Sequence, residues 1–394
     1  MRTASSSASV NGPLFNMHLL RPTTWIVALT VAALSLTSCD LFGSNNDDER
    51  RVTTDVVIAN SGNFSAQDGA LTLYNPTDST ATLEDIDVAF INSLALHNDR
   101  LFVVDNTQSD NAGRITTFDT DQLGPVDQIT GLQRPPRQIA FPSENKGYVT
   151  NLSLFDENFV PDTSTVSVVD LETNSVAKRV DVGRLPEGIA VAAGKAFVAN
   201  SADGTLSVLD TEADAVTTTL SLNGCPSPKS VFVDGENEVS VVCQGGAEQS
   251  SEVLFLDPST EEIVSRAELG APIGSANGTQ SAYYSEGAEE LYAISGSQTF
   301  GSGTGEIFRV DTDANATEAT LEVPEEDGLT GITAVGYDDT TQDLYVTRLP
   351  VGDDGGPLFD ANGTALVLDR EGSVVTRFGT GIAPAHIIFL RETR

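Results

Sequence analysis

The chain is built from short runs in which apolar and polar residues alternate with a period of two. One pair of runs, YVTN and STVSVVD between residues 148 and 170, returns as FVAN and TLSVLD between residues 197 and 210. Such alternation, rich in Val, Ile, Thr, Phe and Tyr, is typical of half-buried β-strands. The pattern therefore predicts an all-β chain that is organised as a repeat.

An Asp or Asn ends one run in every copy of the repeat and allows the copies to be counted. It occurs seven times, at Asn75, Asp119, Asp170, Asp210, Asp257, Asp311 and Asp369. The intervals are 44, 51, 40, 47, 54 and 58 residues, the length of a four-stranded propeller blade with its loops. An Asp here can accept a bond from the backbone N–H two residues later, so we expect a turn-forming role.

Each copy also contains an inner strand that often opens with Pro, as in PPRQIAF, LPEGIAV, SPKSVFV and APAHIIF. The first copy begins with VVIAN at 56 to 60 and lacks an inner strand, whereas a spare one follows the last copy at 384 to 390. We therefore predict a seven-bladed β-propeller of four-stranded antiparallel blades over residues 52–391. The C-terminal strand would pair into the N-terminal blade, with Ile387 beside Val57, and so close the ring.

The phrases YVTN, FVAN, SVVDLETNSV and VGRLPEGIAV resemble the YVTN-repeat, or YncE-like, propellers of bacterial and archaeal envelopes. The opening IANSGNFSAQDGALTLYNPTDST is similar to the start of YncE-like surface lipoproteins of Bacteroidota. The resemblance covers roughly residues 52–391 and implies the propeller fold and an envelope location. Some of these lipoproteins capture cobalamin for an outer-membrane transporter, which the resemblance implies as one specific ligand. A fold family by itself says little about chemistry.

Residues 1–39 are predicted to be a lipoprotein signal peptide. A basic start is followed by WIVALTVAALSLTSC, which is too short to span a bilayer comfortably and ends at Cys39. The tetrapeptide LTSC fits the bacterial lipobox, in which the Cys is lipidated, while an uncleaved membrane anchor is the alternative. Met17 is an alternative start, and residues 40–51 read as an acidic tether. We expect a lipid-anchored protein of the cell envelope, with the outer membrane favoured on the family resemblance.

Cys225 and Cys243 are the cysteines that remain after the signal. In the repeat frame, Cys225 lies three residues before Pro228, which opens an inner strand, and Cys243 ends the adjacent antiparallel strand. The start of one strand lies beside the end of its neighbour, so we predict a disulfide, which an oxidising compartment permits. The expected stabilisation is about 3 kcal/mol. Two buried free thiols are the alternative.

The net charge is strongly negative. All 57 acidic residues follow residue 39 together with 19 of the 21 basic ones, giving a net charge of −38 for that part. This charge excludes binding of nucleic acid through its phosphates. Acidic residues occur in every predicted blade, as in proteins of salt-loving organisms, where carboxylates keep the surface hydrated.

Against this background, basic and aromatic residues gather on one predicted face. Loops that join second to third strands, and those that lead into the inner strands, should surround one end of the central channel. The candidate ligand-binding residues there are Phe64, Arg134, Arg137, Phe155, Arg184, Lys229, Phe300, Arg348 and His386. Such a mouth suits a planar or partly anionic ligand. The alternative is that the arginines pair with loop acids such as Asp156 or Glu187 and the phenylalanines pack the loops down.

Motifs for catalysis are not found. The sequence has no HExxH, CxxC, P-loop or GxSxG motif, and neither His97 nor His386 has a nucleophile motif nearby. The Gly-rich loop GDDGGPLFDANG offers Asp353, Asp354 and Asp360 as oxygen ligands for Ca²⁺, with a solvated acidic loop as the alternative.

The leading expectation is a non-enzymatic, monomeric envelope propeller that binds through the loop face around its channel. The bound partner would be a small molecule or an envelope protein such as an outer-membrane transporter. A metal-dependent, lactonase-like propeller hydrolase is one alternative. A structural surface-layer or protein-docking module is the other.

Overall fold

The computed structural model describes residues 51–106, 113–245, 249–274, 280–296, 305–353 and 355–393. These residues form 28 β-strands and no helix. Within them, no helical segment has the length and apolar character needed to cross a bilayer. The predicted lipidation site Cys39 and residues 40–50 of the predicted tether lie outside the described residues.

The strands form seven four-stranded antiparallel sheets, which we call blades 1 to 7. The strands of each blade are given in order from the inner strand to the outer strand. Blade 1 is β28 (Pro384–Thr393), β1 (Arg51–Asn60), β2 (Gly69–Asn75) and β3 (Thr80–Val88). Blade 2 is β4 (Phe90–His97), β5 (Arg100–Asn106), β6 (Gly113–Asp119) and β7 (Pro125–Ile129). Blade 3 is β8 (Pro136–Ser143), β9 (Lys146–Asn151), β10 (Thr163–Asp170) and β11 (Ser175–Arg184). Blade 4 is β12 (Pro186–Ala192), β13 (Lys195–Asn200), β14 (Thr205–Asp210) and β15 (Ala215–Ser221).

The remaining three blades follow the same order along the chain. Blade 5 is β16 (Pro228–Val233), β17 (Val239–Cys243), β18 (Glu252–Asp257) and β19 (Glu262–Glu268). Blade 6 is β20 (Ala282–Ser285), β21 (Glu290–Ser295), β22 (Glu306–Asp311) and β23 (Ala316–Glu322). Blade 7 is β24 (Leu329–Asp338), β25 (Asp343–Pro350), β26 (Asn362–Leu368) and β27 (Val374–Ile382).

The hydrophobic core lies between the blades. Seven buried clusters each join one blade to the next, including one between blades 7 and 1, so the seven sheets form a ring. Each blade is apolar on both faces of its middle strands, which explains why one copy of the repeat could not bury its surface alone. The predicted seven-bladed propeller is confirmed.

The C-terminal strand closes the ring by pairing with the N-terminal strand. β28 runs antiparallel to β1, with Ile387 opposite Ile58 and Ile388 opposite Val57. The predicted closure is therefore confirmed, with the pairing displaced by one residue. Ile387 packs between blades 7 and 1, whereas Val57 packs between blades 1 and 2.

The repeated Asp forms the turn between the third and fourth strands, as predicted. The Asp170 carboxylate accepts hydrogen bonds from the N–H groups of Glu172 and Thr173, both at 2.9 Å. The bond from Thr173 lowers the pKa of Asp170 below its ordinary value, since it favours the ionised form.

The Asn that ends the second strand has a structural role that the sequence did not reveal. Asn200 is fully buried, and its Nδ2 donates to Thr205 Oγ1 at 3.0 Å and to Ser207 Oγ at 2.9 Å. Its Oδ1 accepts from the N–H of Gly183, the penultimate residue of blade 3, at 3.1 Å. A Cβ at Gly183 would lie 2.6 Å from Asn200 Cγ, so this contact requires glycine. The Asn therefore links one blade to the next.

We expect Asn200→Ala to lower the free energy of unfolding by about 2 kcal/mol, because the buried N–H of Gly183 loses its acceptor. Urea denaturation followed by circular dichroism measures the change. Thr219→Ala, on the exposed outer strand of the same blade, is the control and should change stability by less than about 0.5 kcal/mol. Equal effects of the two substitutions would show that Asn200 does not link the blades.

Candidate functional site

The inner strands begin at one end of the central channel, which we call the entry face. β8, β12, β16 and β28 all start with Pro, so their following residues occupy equivalent positions around the channel. The second position holds Arg137, Glu187 and Lys229 in blades 3, 4 and 5. The entry face thus carries charged side chains on three consecutive blades, in the region that the sequence predicted.

Below these charged residues lies a cavity of about 230 Å³ in the channel. Its polar lining comes from Ser93, Gln138, Ser230, Gln280 and His386, most of which occupy the third position of an inner strand. Its apolar lining includes Leu94, Ile139, Ile189, Val231, Phe232 and Ile387. One residue of an extended strand advances about 3.3 Å, so the cavity begins directly beneath the charged level.

Glu187 lies between two cations on the entry face. Arg137 donates from Nε to Glu187 Oε2 at 2.9 Å, its Nη2 lies 2.9 Å from the same oxygen, and Lys229 Nζ lies 3.3 Å from Oε1. Burial alone would raise the pKa of Glu187, but the charges and hydrogen bonds of Arg137 and Lys229 outweigh it and lower that pKa. Glu187 is therefore ionised at neutral pH. The three side chains together, called the entry triad below, carry one net positive charge.

The backbone of each triad residue is positioned by the preceding blade. Ser93 Oγ donates to the carbonyl of Arg137 at 2.7 Å, and Thr150 Oγ1 donates to the carbonyl of Glu187 at 2.9 Å. A Cβ at Gly188 would lie 2.6 Å from the carbonyl oxygen of Lys229, so glycine permits close approach of blades 4 and 5. Packing between blades therefore fixes where the entry triad stands.

His386 enters the cavity as a neutral hydrogen-bond donor. Its Nδ1 accepts from the backbone N–H of Leu94 at 2.9 Å. A ring nitrogen accepts only when it carries no proton, so the neutral ring holds its proton on Nε2. Burial lowers the pKa of His386 to about 4, which keeps the ring neutral at pH 7.

The other predicted arginines are engaged away from the channel. Arg134 makes a two-pronged pair with Asp162, at 2.9 and 3.0 Å, and Arg184 Nε lies 2.6 Å from Asp203. Both pairs agree with the alternative interpretation of these residues, in which the arginines pair with acidic residues of the loops instead of binding a ligand. Arg348 was expected in a loop of the entry face, and that expectation is wrong. It lies inside β25, is 1% exposed, and donates to the carbonyl of Val323 at 3.2 Å.

Two of the predicted aromatic residues are exposed on entry-face loops. Phe64 is 51% exposed and packs edge-on against Phe90, with ring centroids 5.5 Å apart. Phe155 is 50% exposed in a hairpin where it bridges to Pro161, and Phe159 near the tip of that hairpin is 85% exposed. Phe300 lies outside the described residues.

The candidate Ca²⁺ loop joins β25 to β26. Asp353 and Asp360 belong to the described part of this loop, and Asp354 does not. Over the residues that the structure covers, no group of three or more His, Cys, Asp or Glu is arranged to hold a metal ion. Calcium binding by this loop stays a prediction.

The predicted disulfide between Cys225 and Cys243 is present, with Cα atoms 5.2 Å apart. It joins the segment before β16 to the end of β17. Because Lys229 is the second residue of β16, the disulfide holds the strand that carries one cation of the entry triad.

Neither the family models nor the curated proteins compared with this chain give a match. Solved propeller structures are similar in fold. A quinoprotein alcohol dehydrogenase-like protein from Bacteroides thetaiotaomicron has a TM-score of 0.61 and 14% identity, covering 86% of this chain and 78% of that one. The periplasmic gluconolactonase of Pseudomonas aeruginosa has a TM-score of 0.62 and 13% identity, covering 85% of this chain and 99% of that one. Hydrazine synthase from Kuenenia stuttgartiensis has a TM-score of 0.57 and 15% identity, covering 78% of this chain and 96% of that one.

At such low identity these similarities show the fold alone. The chain is thus a seven-bladed β-propeller with a charged channel mouth above a small polar and apolar cavity. The resemblance to YncE-like propellers stays a prediction.

Proposed function

We propose that the protein is a non-enzymatic, lipid-anchored propeller of the cell envelope that binds a small molecule at the entry-face mouth of its channel. The observation that carries this proposal is the entry triad, which three consecutive blades hold above a cavity lined by His386, Ser230 and Gln138. Such a combination of an apolar wall with a few convergent polar groups is typical of ligand sites.

The size of the cavity restricts what can enter it. Ligand pockets commonly measure roughly 300 to 1,000 Å³, whereas this cavity holds about 230 Å³. The inserted part of the ligand is therefore small. A corrinoid, the ligand that the family resemblance suggests, would lie above the triad and contact loop residues such as Phe64 and Phe155 instead.

Binding without turnover is favoured by the titratable groups at the mouth. A general base works best when its pKa lies near the working pH. The pKa of His386 is lowered to about 4 and its Nδ1 is occupied by the backbone of Leu94, while Arg137 and Lys229 occupy both oxygens of Glu187. Both groups are thus held in one charge state at neutral pH.

A second candidate role, docking to an envelope protein such as an outer-membrane transporter, is favoured by the 152–162 hairpin. Asp156 accepts bonds from the N–H groups of Asn158 and Val160, at 2.8 and 2.9 Å, and the pair of Arg134 with Asp162 fixes the hairpin base. These bonds hold Phe159 exposed at the hairpin tip. Exposed aromatic residues on a structured loop are common anchors in protein interfaces.

A thermal-shift screen tests the binding role. The full-length chain is heated with corrinoids, haem, siderophores, sugars, small carboxylates and divalent metals. We expect one class of small organic compound to raise the Tm by a few degrees, because a ligand that binds only the folded state stabilises it. Ser230→Leu, which narrows the cavity, should abolish the shift, whereas Thr219→Leu on an exposed outer strand should not.

Gln138→Leu replaces the first variant if Ser230→Leu does not fold. An equal shift in the narrowed variant would contradict binding at the channel. Conversion of the stabilising compound, followed by NMR, would contradict a non-enzymatic role.

A further inference from the structure

We propose that the ligand of the channel mouth carries a single carboxylate, which Arg137 and Lys229 bind together while Glu187 holds them in position. This inference rests on the proposed binding function and adds the chemical class of the ligand. It commits to a monoanion with an uncharged body that enters the cavity.

The first argument is the number of hydrogen-bond donors that the entry triad leaves unused. Arg137 donates from Nε to one oxygen of Glu187, with Nη2 close to the same oxygen, and Lys229 donates one N–H to the other oxygen. An arginine has five N–H donors and a lysine has three. Within the described part of the chain, Nη1 of Arg137 and two N–H groups of Lys229 therefore have no protein acceptor. The two side chains are 17% and 30% exposed, so a ligand can reach them.

The second argument is the charge balance. Two cations and one ionised carboxylate leave one net positive charge at the mouth. The rest of the chain is strongly acidic and repels multiply charged anions. A phosphate monoester carries about −1.5 to −2 at neutral pH and exceeds the charge available, whereas a carboxylate matches it. The planar guanidinium of Arg137 also suits the planar carboxylate group.

The third argument is the chemistry beneath the triad. His386 presents an Nε2 donor, and Gln138 and Ser230 add polar groups at the same level. Ile139, Ile189 and Val231 then form an apolar wall. A short aromatic or aliphatic acid fits this order, with its carboxylate at the triad and its uncharged carbon skeleton in the cavity.

Calorimetric titration of the full-length chain with benzoate, benzamide and phthalate tests the inference. We expect benzoate to bind with a Kd below about 1 mM, and benzamide, which has the same shape without the charge, to bind at least about tenfold more weakly. Phthalate, a dianion, should also bind more weakly than benzoate.

Two substitutions separate charge recognition from a merely structural effect. Lys229→Met should weaken benzoate roughly tenfold, the size expected for losing a hydrogen bond between charged groups. Glu187→Gln raises the net charge of the triad by one and should shift the preference from benzoate toward phthalate. Arg134→Met is the matched control, because Arg134 lies on the same face but is paired with Asp162. It should leave the Kd unchanged.

Several outcomes would overturn the inference. They are equal binding of benzamide and benzoate, equal weakening by Arg134→Met and Lys229→Met, or no binding of benzoate. If a neutral compound still stabilises the protein in a way that Ser230→Leu abolishes, the carboxylate assignment fails and the binding function stands. If Ser230→Leu abolishes the stabilisation by none of the compounds, both the carboxylate assignment and the binding function fail. Lys229→Gln replaces Lys229→Met if that variant does not fold, as judged from its Tm.

Discussion

Ile387→Asp lowers the free energy of unfolding by at least about 4 kcal/mol or prevents folding, which makes it the most damaging substitution that we predict. Ile387 is fully buried, pairs with Ile58 and packs in the cluster that joins blades 7 and 1. A carboxylate there would have to be buried without a cation or would open the ring. Urea denaturation followed by circular dichroism measures the loss.

Val375→Asp supplies the control for this prediction. Val375 lies on β27, the outer strand of blade 7, and is 59% exposed. The control should change stability by less than about 0.5 kcal/mol, as surface substitutions usually do. If the protein tolerated both substitutions equally, the C-terminal strand would not close the ring.

The double substitution Cys225→Ala and Cys243→Ala lowers the free energy of unfolding by about 3 kcal/mol, the second largest effect that we expect. The cysteines are 18 residues apart, and a cross-link over a loop of this size restricts the unfolded chain by about that amount. Denaturation of the oxidised wild type and of the double variant measures the difference.

Reductant provides the control for the disulfide. Cys225 and Cys243 are 0% and 1% exposed, so we expect a reducing agent to leave the folded protein unchanged and to act only after unfolding. Wild type refolded in reductant should then match the double variant. A difference below about 1 kcal/mol between oxidised wild type and the double variant would contradict a stabilising disulfide.

Much of the fold can be predicted from the sequence, because a period-two pattern and seven turn residues report local chemistry. The pairing of individual residues across the closing strands cannot be predicted in this way. Ile387 was expected beside Val57 and lies opposite Ile58, since register shifts occur between Thr53 and Asp55 and again between Ala59 and Asn60. A β-bulge depends on packing against the next blade, which no local pattern records.

Only part of the candidate site could be predicted, because the partners of its side chains also depend on long-range packing that local sequence patterns do not record. Arg137, Lys229 and His386 lie at the mouth or in the cavity as expected. Arg348 was placed in a loop, but β25 continues to Pro350, so the side chain is buried. The pair of Arg134 with Asp162 joins residues 28 positions apart, and such a partner cannot be chosen from the sequence among many acids.

Glu187 shows what a closer comparison of the repeats would have found. The sequence suggested it only as a partner for an arginine, whereas it also binds Lys229 and so unites three blades. Aligning PPRQ, LPEG and SPKS places Arg, Glu and Lys at one position of three consecutive copies. Opposite charges at equivalent positions of neighbouring blades predict ion pairs between those side chains, and this signal was present in the sequence.

A crystal structure of the full-length chain soaked in para-bromobenzoate tests the proposed binding site most directly, because bromine can be located by its anomalous scattering. We expect the bromine in the channel cavity, with the carboxylate within hydrogen-bond distance of Arg137 and Lys229. Bromine found only on the 152–162 hairpin or elsewhere outside the channel would contradict binding at the entry triad.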